Sequence, residues 1–288
     1  AGHINSLCAR AIEKGYDVFH ILRAACVNPV QHYKLDVGLL NVGDDADFVL
    51  VDNLKDFKAI STYINGVEVA ESGTTKIARL TEQGKSVNRF GINNISIDEI
   101  KLPANGVYQL PVIGCIDGQL ITEKLNLQPA QHGGNYVSDT KNDVLKIVVV
   151  NRYTKAPTAI AFIHRFGLKE GAIASSVAHD SHNIVAVGVD DQSIVDAINL
   201  IVDCKGGISC VGQGMKNVLA LPIAGLMTDA DGYSVADAYT LIDQQAKSLG
   251  STLGSPFMSL SFMALLVIPN LKLSDKGLFD GEKFSFYA

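Results

Sequence analysis

Six short apolar runs, at residues 107–115, 120–125, 144–153, 159–166, 173–177 and 184–189, dominate the middle of this chain, and they constrain its fold more than any other feature. Rich in Val and Ile and bounded by turn residues, they read as β-strands. Only two amphipathic stretches follow. Residues 193–204 place Ile194, Ala197, Ile198 and Ile201 on one stripe, and residues 234–249 do the same with Ala236, Ala238, Leu241, Ile242 and Ala246. Between these stretches, Gly206-Gly207 followed by apolar runs at 208–211 and 218–222 predicts a further hairpin. The expected body is a mainly antiparallel sheet with flanking helices, an α+β arrangement.

The first hundred residues have a different texture. Ile4, Leu7, Cys8, Ala11 and Ile12, then Val18, Ile21, Leu22 and Ala25, follow a helical period broken at Gly15. This predicts two helices joined at Gly15-Tyr16-Asp17, with Asp17 capping the second and Asn28-Pro29 ending it. Such short helices need a larger body to pack on. From Gly38 the pattern shifts towards alternation, and Asn65-Gly66 between two β-type runs is a strong hairpin signal. Three parts are expected: helices over 1–35, a small β module over 36–87 and the main domain over 88–288. No period of 20–50 residues recurs, so a solenoid or propeller is unsupported.

Composition narrows the function. With 288 residues, 47% of them hydrophobic, the chain can bury at least one core. A net charge of −6 without any Lys/Arg cluster gives no footprint for nucleic acid. Cys8, Cys26, Cys115, Cys204 and Cys210 are odd in number, scattered and free of Cys-x-x-Cys pairs, which points to reduced thiols in a cytoplasmic protein. The apolar run at 262–268 is too short to span a bilayer, and Pro269 closes it. Residues 1–10 do not read as a signal peptide. Residue 1 is Ala and the chain opens in helical text, so it reads as one part of a longer polypeptide.

One polar cluster interrupts the strands: His179-Asp180-Ser181-His182-Asn183 lies between two apolar runs. Such a cluster forms either a turn, with Asp180 and Asn183 bonding their own backbone, or a substrate-facing loop, with two imidazoles that titrate near neutrality as proton carriers or hydrogen-bond partners. Sequence order alone does not choose between them. Other motifs are weaker. Gly133-Gly134 and Gly212-Gln213-Gly214 lack the context of a phosphate-binding loop, and Ser259 and Ser261 lack a nucleophile elbow.

Gly2-His3-Ile4-Asn5 and the string from Gly43 through Asp44-Asp45-Ala46-Asp47-Phe48 to Asp52 resemble the tail of an amidohydrolase, from the last barrel helices into the β-sandwich. Three later stretches are more specific. They run from Phe166 to Asn183, from Leu221 to Met227 (Leu-Pro-Ile-Ala-Gly-Leu-Met), and from Pro256 to Phe262 with Val267-Ile268-Pro269. Together they resemble the extra domain that adenine deaminases carry after the barrel, and the resemblance runs through the whole chain.

The resemblance implies hydrolytic deamination of adenine to hypoxanthine and ammonia in purine salvage. That reaction requires a metal-activated hydroxide and a proton donor. It also implies a binuclear divalent metal centre, manganese or iron, in a likewise implied homo-oligomer. None of the seven histidines forms the His-x-His pair the family uses, so no metal ligand is assigned in this chain and the isolated chain is expected to be inactive. Its implied partners are adenine and the N-terminal barrel portion of the same enzyme, with neither nucleic acid nor membrane. Within this frame His179, Asp180 and His182 are the candidate catalytic residues, and Ser181 and Asn183 the candidate contacts to the base. The alternative is a structural or oligomerisation module that makes no contact with substrate.

Overall fold

A computed structural model describes residues 2–79 and 87–287. The chain divides into two compact units, residues 1–82 and 83–288. The expected boundary at 87/88 adjoins residues 80–86, which lie outside the described residues. Among the described residues no helix is long and apolar enough to cross a membrane.

The first unit opens with α1 (Ile4–Glu13) and α2 (Val18–Leu22). Asp17 caps α2, its Oδ1 accepting from the Phe19 and His20 amides at 3.0 Å each. Asn28-Pro29 does not end the helical path as expected. A π-helical turn at Arg23–Val27 is followed directly by α3 (Asn28–Tyr33), with Pro29 in its first turn. The Asn28 amide donates to the Arg23 carbonyl five residues back. A proline in a first turn needs no amide donor, so the helix restarts there instead of stopping.

A four-stranded antiparallel sheet completes this unit: β1 (Phe48–Val51), β2 (Ala59–Ile64), β3 (Val67–Glu71) and β4 (Thr74–Thr75), in that order. The β2–β3 hairpin turns at Asn65-Gly66, with φ of 50° and 73°, as a type I′ turn requires. The helical and β segments expected as separate parts share this one unit. Asn5 Nδ2 donates to the carbonyl of buried Phe57 at 3.1 Å.

The second unit begins with a 3₁₀ turn at Ile97–Ile100 and continues with β5 (Leu102–Pro103), β6 (Leu110–Gly114), β7 (Glu123–Leu127), β8 (Ala130–His132) and β9 (Asn135–Val137). Then come β10 (Val144–Val150), β11 (Ala159–His164), β12 (Ala172–Ser175), β13 (Ile184–Gly188), α4 (Asp191–Cys204), β14 (Gly207–Gly212) and β15 (Met215–Ala220). The chain ends with α5 (Gly232–Ser248), α6 (Pro256–Phe262), β16 (Leu271–Ser274), β17 (Gly277–Asp280) and β18 (Ser285–Phe286).

An eight-stranded sheet ordered β15-β14-β12-β13-β10-β11-β6-β7 organises the unit, antiparallel throughout except for the β11–β6 pair. Its central strands are buried on both faces, which is why they carry apolar runs without alternation. Along β10, Leu145, Ile147 and Val149 enter the core beneath α5, α6 and β16. Val148 and Val150 enter the opposite core with Ile194, Ala197, Ile198 and Ile201 of α4. The result is three layers, with α4 on one face and α5, α6 and the β16–β18 sheet on the other. Buried Lys146 pairs with Asp191 at the start of α4 and donates to the Ile100 carbonyl at 3.0 Å.

Candidate active-site loop

The 179–183 loop joins the inner strands β12 and β13, so a rigid, doubly covered sheet sets its position. Its base is held by Ser176, which is fully buried. Ser176 Oγ donates to the Gly225 carbonyl at 2.6 Å and accepts from the Gly207 amide at 2.8 Å. Main chain closes the loop itself: the His182 amide donates to the Ala178 carbonyl at 2.7 Å, and His182 adopts a left-handed φ of 53°. Helix α6 braces the other side. The His179 amide donates to the Ser261 carbonyl at 3.0 Å, and the His179 ring stacks on Phe262 with centroids 5.2 Å apart and planes 15° apart.

The five candidate residues come together here with distinct environments. His179 and His182 are half-buried, with ring centroids 5.5 Å apart in an edge-on arrangement. His182 Nδ1 is buried and finds no hydrogen-bond partner among the described residues. Burial holds the His182 imidazole below its ordinary pKa, with the His179 and Arg152 charges acting in the same direction and Asp180 opposing them. Asp180 and Ser181 are exposed, and the Ser181 carbonyl accepts from Tyr153 Oη at 2.7 Å. Asn183 is only 4% exposed. Its Oδ1 accepts from the Arg152 amide at 3.3 Å, while its Nδ2 has no protein acceptor among the described residues. The Asp180 and Asn183 side chains therefore do not close a turn on their own backbone; the main-chain bond from His182 to Ala178 does so instead.

Sequence reasoning missed Arg152 and Tyr153. Arg152 lies two residues beyond the end of β10 and is 4% exposed, and no carboxylate pairs with it among the described residues. Its Nη2 donates to the Ala224 carbonyl at 2.8 Å and to Tyr153 Oη at 3.0 Å, and its Nη1 to Asn88 Oδ1 at 3.3 Å. Its Nε is buried without a partner. The rings of Tyr153 and Phe90 flank the guanidinium at 4.6 and 5.6 Å. The available signal was a charged residue just past a seven-residue strand that is apolar except for Lys146.

The chemistry this cluster can perform is limited and specific. A neutral imidazole with a free nitrogen can accept or relay a proton, and an unpartnered amide nitrogen can meet an acceptor on a ligand. No group of three or more His, Cys, Asp or Glu side chains that could hold a metal ion occurs among the described residues.

Residues 119–285 match the family model of the adenine deaminase C-terminal domain, and residues 1–69 match that of the amidohydrolase family. Three proteins named adenine deaminase align over 99% of this chain. They are those of Methanosarcina acetivorans at 51% identity, Salinibacter ruber at 50% and Borreliella burgdorferi at 42%, and 53%, 52% and 52% of their own lengths are covered. The chain thus spans about half the length of the curated relatives it matches.

Proposed function

The chain belongs to the adenine deaminase C-terminal domain family, and from that premise we propose that it is the accessory half of an enzyme that hydrolyses adenine to hypoxanthine and ammonia. Residues 1–35 are the last helices of an amidohydrolase barrel in this reading, residues 36–87 part of its β-sandwich, and residues 88–288 the added domain. The amidohydrolase match implies a divalent metal, but the described residues of this chain do not fit one. Manganese or iron would be held by the barrel portion of the same enzyme, and the 288 residues alone turn over no adenine. The assembled protein is a homo-oligomer acting in the cytoplasm, in purine salvage.

The 179–183 loop closes over the purine from the added domain. His182 accepts or relays a proton at the ring, His179 backs it, and Asp180 offsets the positive charge that a protonated imidazole would bring. Ser181, exposed, and Asn183, through its unpartnered Nδ2, meet the edge of the base. One observation carries this reading: His182 Nδ1 is buried and without a partner on a loop fixed by a rigid sheet. An imidazole nitrogen left without a protein partner at that position is available to bond a ligand.

The test is His182→Ala in the chain joined to its barrel half. Turnover should slow by roughly 100-fold or more while thermal stability stays unchanged. Normal turnover with lowered stability or altered oligomer size would instead establish the loop as a structural or oligomerisation element.

A further inference from the structure

We propose that Arg152 is a positioning residue for the 179–183 loop: through Tyr153 its guanidinium fixes the loop at Ser181, and as a buried cation with no carboxylate partner among the described residues it opposes a second positive charge on His182. The proposal rests on the reading of this loop as substrate-facing and adds to it the residues that set its geometry and charge.

The geometry forms one continuous path. Arg152 Nη2 donates to Tyr153 Oη at 3.0 Å, and that hydroxyl donates to the Ser181 carbonyl at 2.7 Å. From the other side, the Arg152 amide donates to Asn183 Oδ1 at 3.3 Å. The residues before and after His182 are thereby both tied to the 152–153 segment. The guanidinium cannot drift: Nη2 is held by the Ala224 carbonyl, and a Cβ on Gly225 would fall 2.1 Å from Nη1.

The charge argument follows from what surrounds His182. His179 and Asp180 lie on its own loop, and Arg152 stands just past the end of β10. Helix α6 and residues 222–227 of the turn beneath contain no titratable side chain. On residues 87–91 the charged group is Arg89, which is exposed, and Lys205 at the end of α4 lies 5.7 Å from the Phe90 ring. Asp180 is the only acid in this set, and it is exposed, so solvent screens it more than it screens Arg152. A buried cation whose charge reaches an imidazole therefore favours the neutral form.

The test is an NMR titration of His182 in the full 288-residue chain, followed by the same titration in Arg152→Gln and Arg152→Lys. The unsubstituted chain should give a midpoint below about 6.5, the ordinary histidine value. Arg152→Gln should raise that midpoint by roughly half a unit to one unit, while Arg152→Lys, which keeps the charge, should leave it near the starting value. A midpoint at or above the ordinary value in the unsubstituted chain overturns the proposal even if neither variant folds, and so does an equal response of Gln and Lys. Adenine turnover does not enter this measurement. Failure of the titration with an intact effect of His182→Ala on turnover removes Arg152 alone, whereas the reverse result removes the substrate-facing reading.

Discussion

Gly225→Ala and Gly214→Ala form a matched pair that isolates the contact between Arg152 and the turn beneath the loop. Both glycines have φ of +73°, so both substitutions carry the same left-handed backbone penalty, about 1–2 kcal/mol, partly offset by the lower entropy of the unfolded alanine chain. Their surroundings differ completely. A Cβ at position 214 meets nothing within 4 Å, whereas a Cβ at 225 falls 2.1 Å from Arg152 Nη1 and 2.9 Å from Cζ. The guanidinium must move by about an ångström to restore contact distance.

Arg152 has nowhere cheap to go. Its Nη2 bonds at 2.8 and 3.0 Å would break or stretch, and a hydrogen bond to a charged group contributes roughly 1.5–3 kcal/mol. Gly225→Ala should therefore destabilise the second unit by about 3 kcal/mol more than Gly214→Ala. The chain has no Trp, so the assay is hydrogen exchange of the β10 amides, which lie in the deepest part of the sheet and report on this unit alone. In an Arg152→Ala background the excess should vanish, because the clashing group is gone. An excess below about 1 kcal/mol, or one that survives removal of the guanidinium, would refute the picture of Arg152 as a fixed cation.

Two further outcomes test the frame on which the loop sits. Asp191→Asn leaves the fully buried Lys146 ammonium with the Ile100 carbonyl but no counter-charge, and should cost about 3–5 kcal/mol in urea unfolding; adding Lys146→Met should recover most of that loss. Iodoacetamide at about pH 8 should label exposed Cys26 first. Cys115 and Cys210 should stay unlabelled until unfolding, because burial blocks access and pushes their thiols up to about 11 and to about 12. Mass spectrometry finding Cys210 labelled as fast as Cys26 would show that the sheet core opens readily.

Local chemistry makes much of the architecture legible from the amino acids alone. Asn65-Gly66 specifies its hairpin because few other residues tolerate two successive positive φ values. Asp17 specifies a helix start, and the stripe of Ile194, Ala197, Ile198 and Ile201 specifies the face that α4 buries. What escapes is tertiary. Helix α6 lies within text whose apolar residues continue past its end, so periodicity does not mark it. The restart of the helix at Pro29 depends on a π turn that no residue type announces. In the loop, the clustering of His179 and His182 is visible in the sequence, but their support is not. Arg152 is far from His182 along the chain, and their segments come together because β10 pairs with β13, placing Val150 opposite Ile184.

That pairing also bears on which reading of the loop is better supported. Burying a cation costs desolvation that its partners must offset, and the partners of Arg152 among the described residues are all neutral. Here the cation is retained with neutral acceptors, two aromatic faces and an orphan Nε, an arrangement that holds the charge in place without neutralising it. What a neutral donor could not supply is a fixed positive potential beside an imidazole whose own Nδ1 is left unpartnered. An imidazole shifted towards its neutral form, with Nδ1 free to bond, is what the proposed proton role at a purine would use.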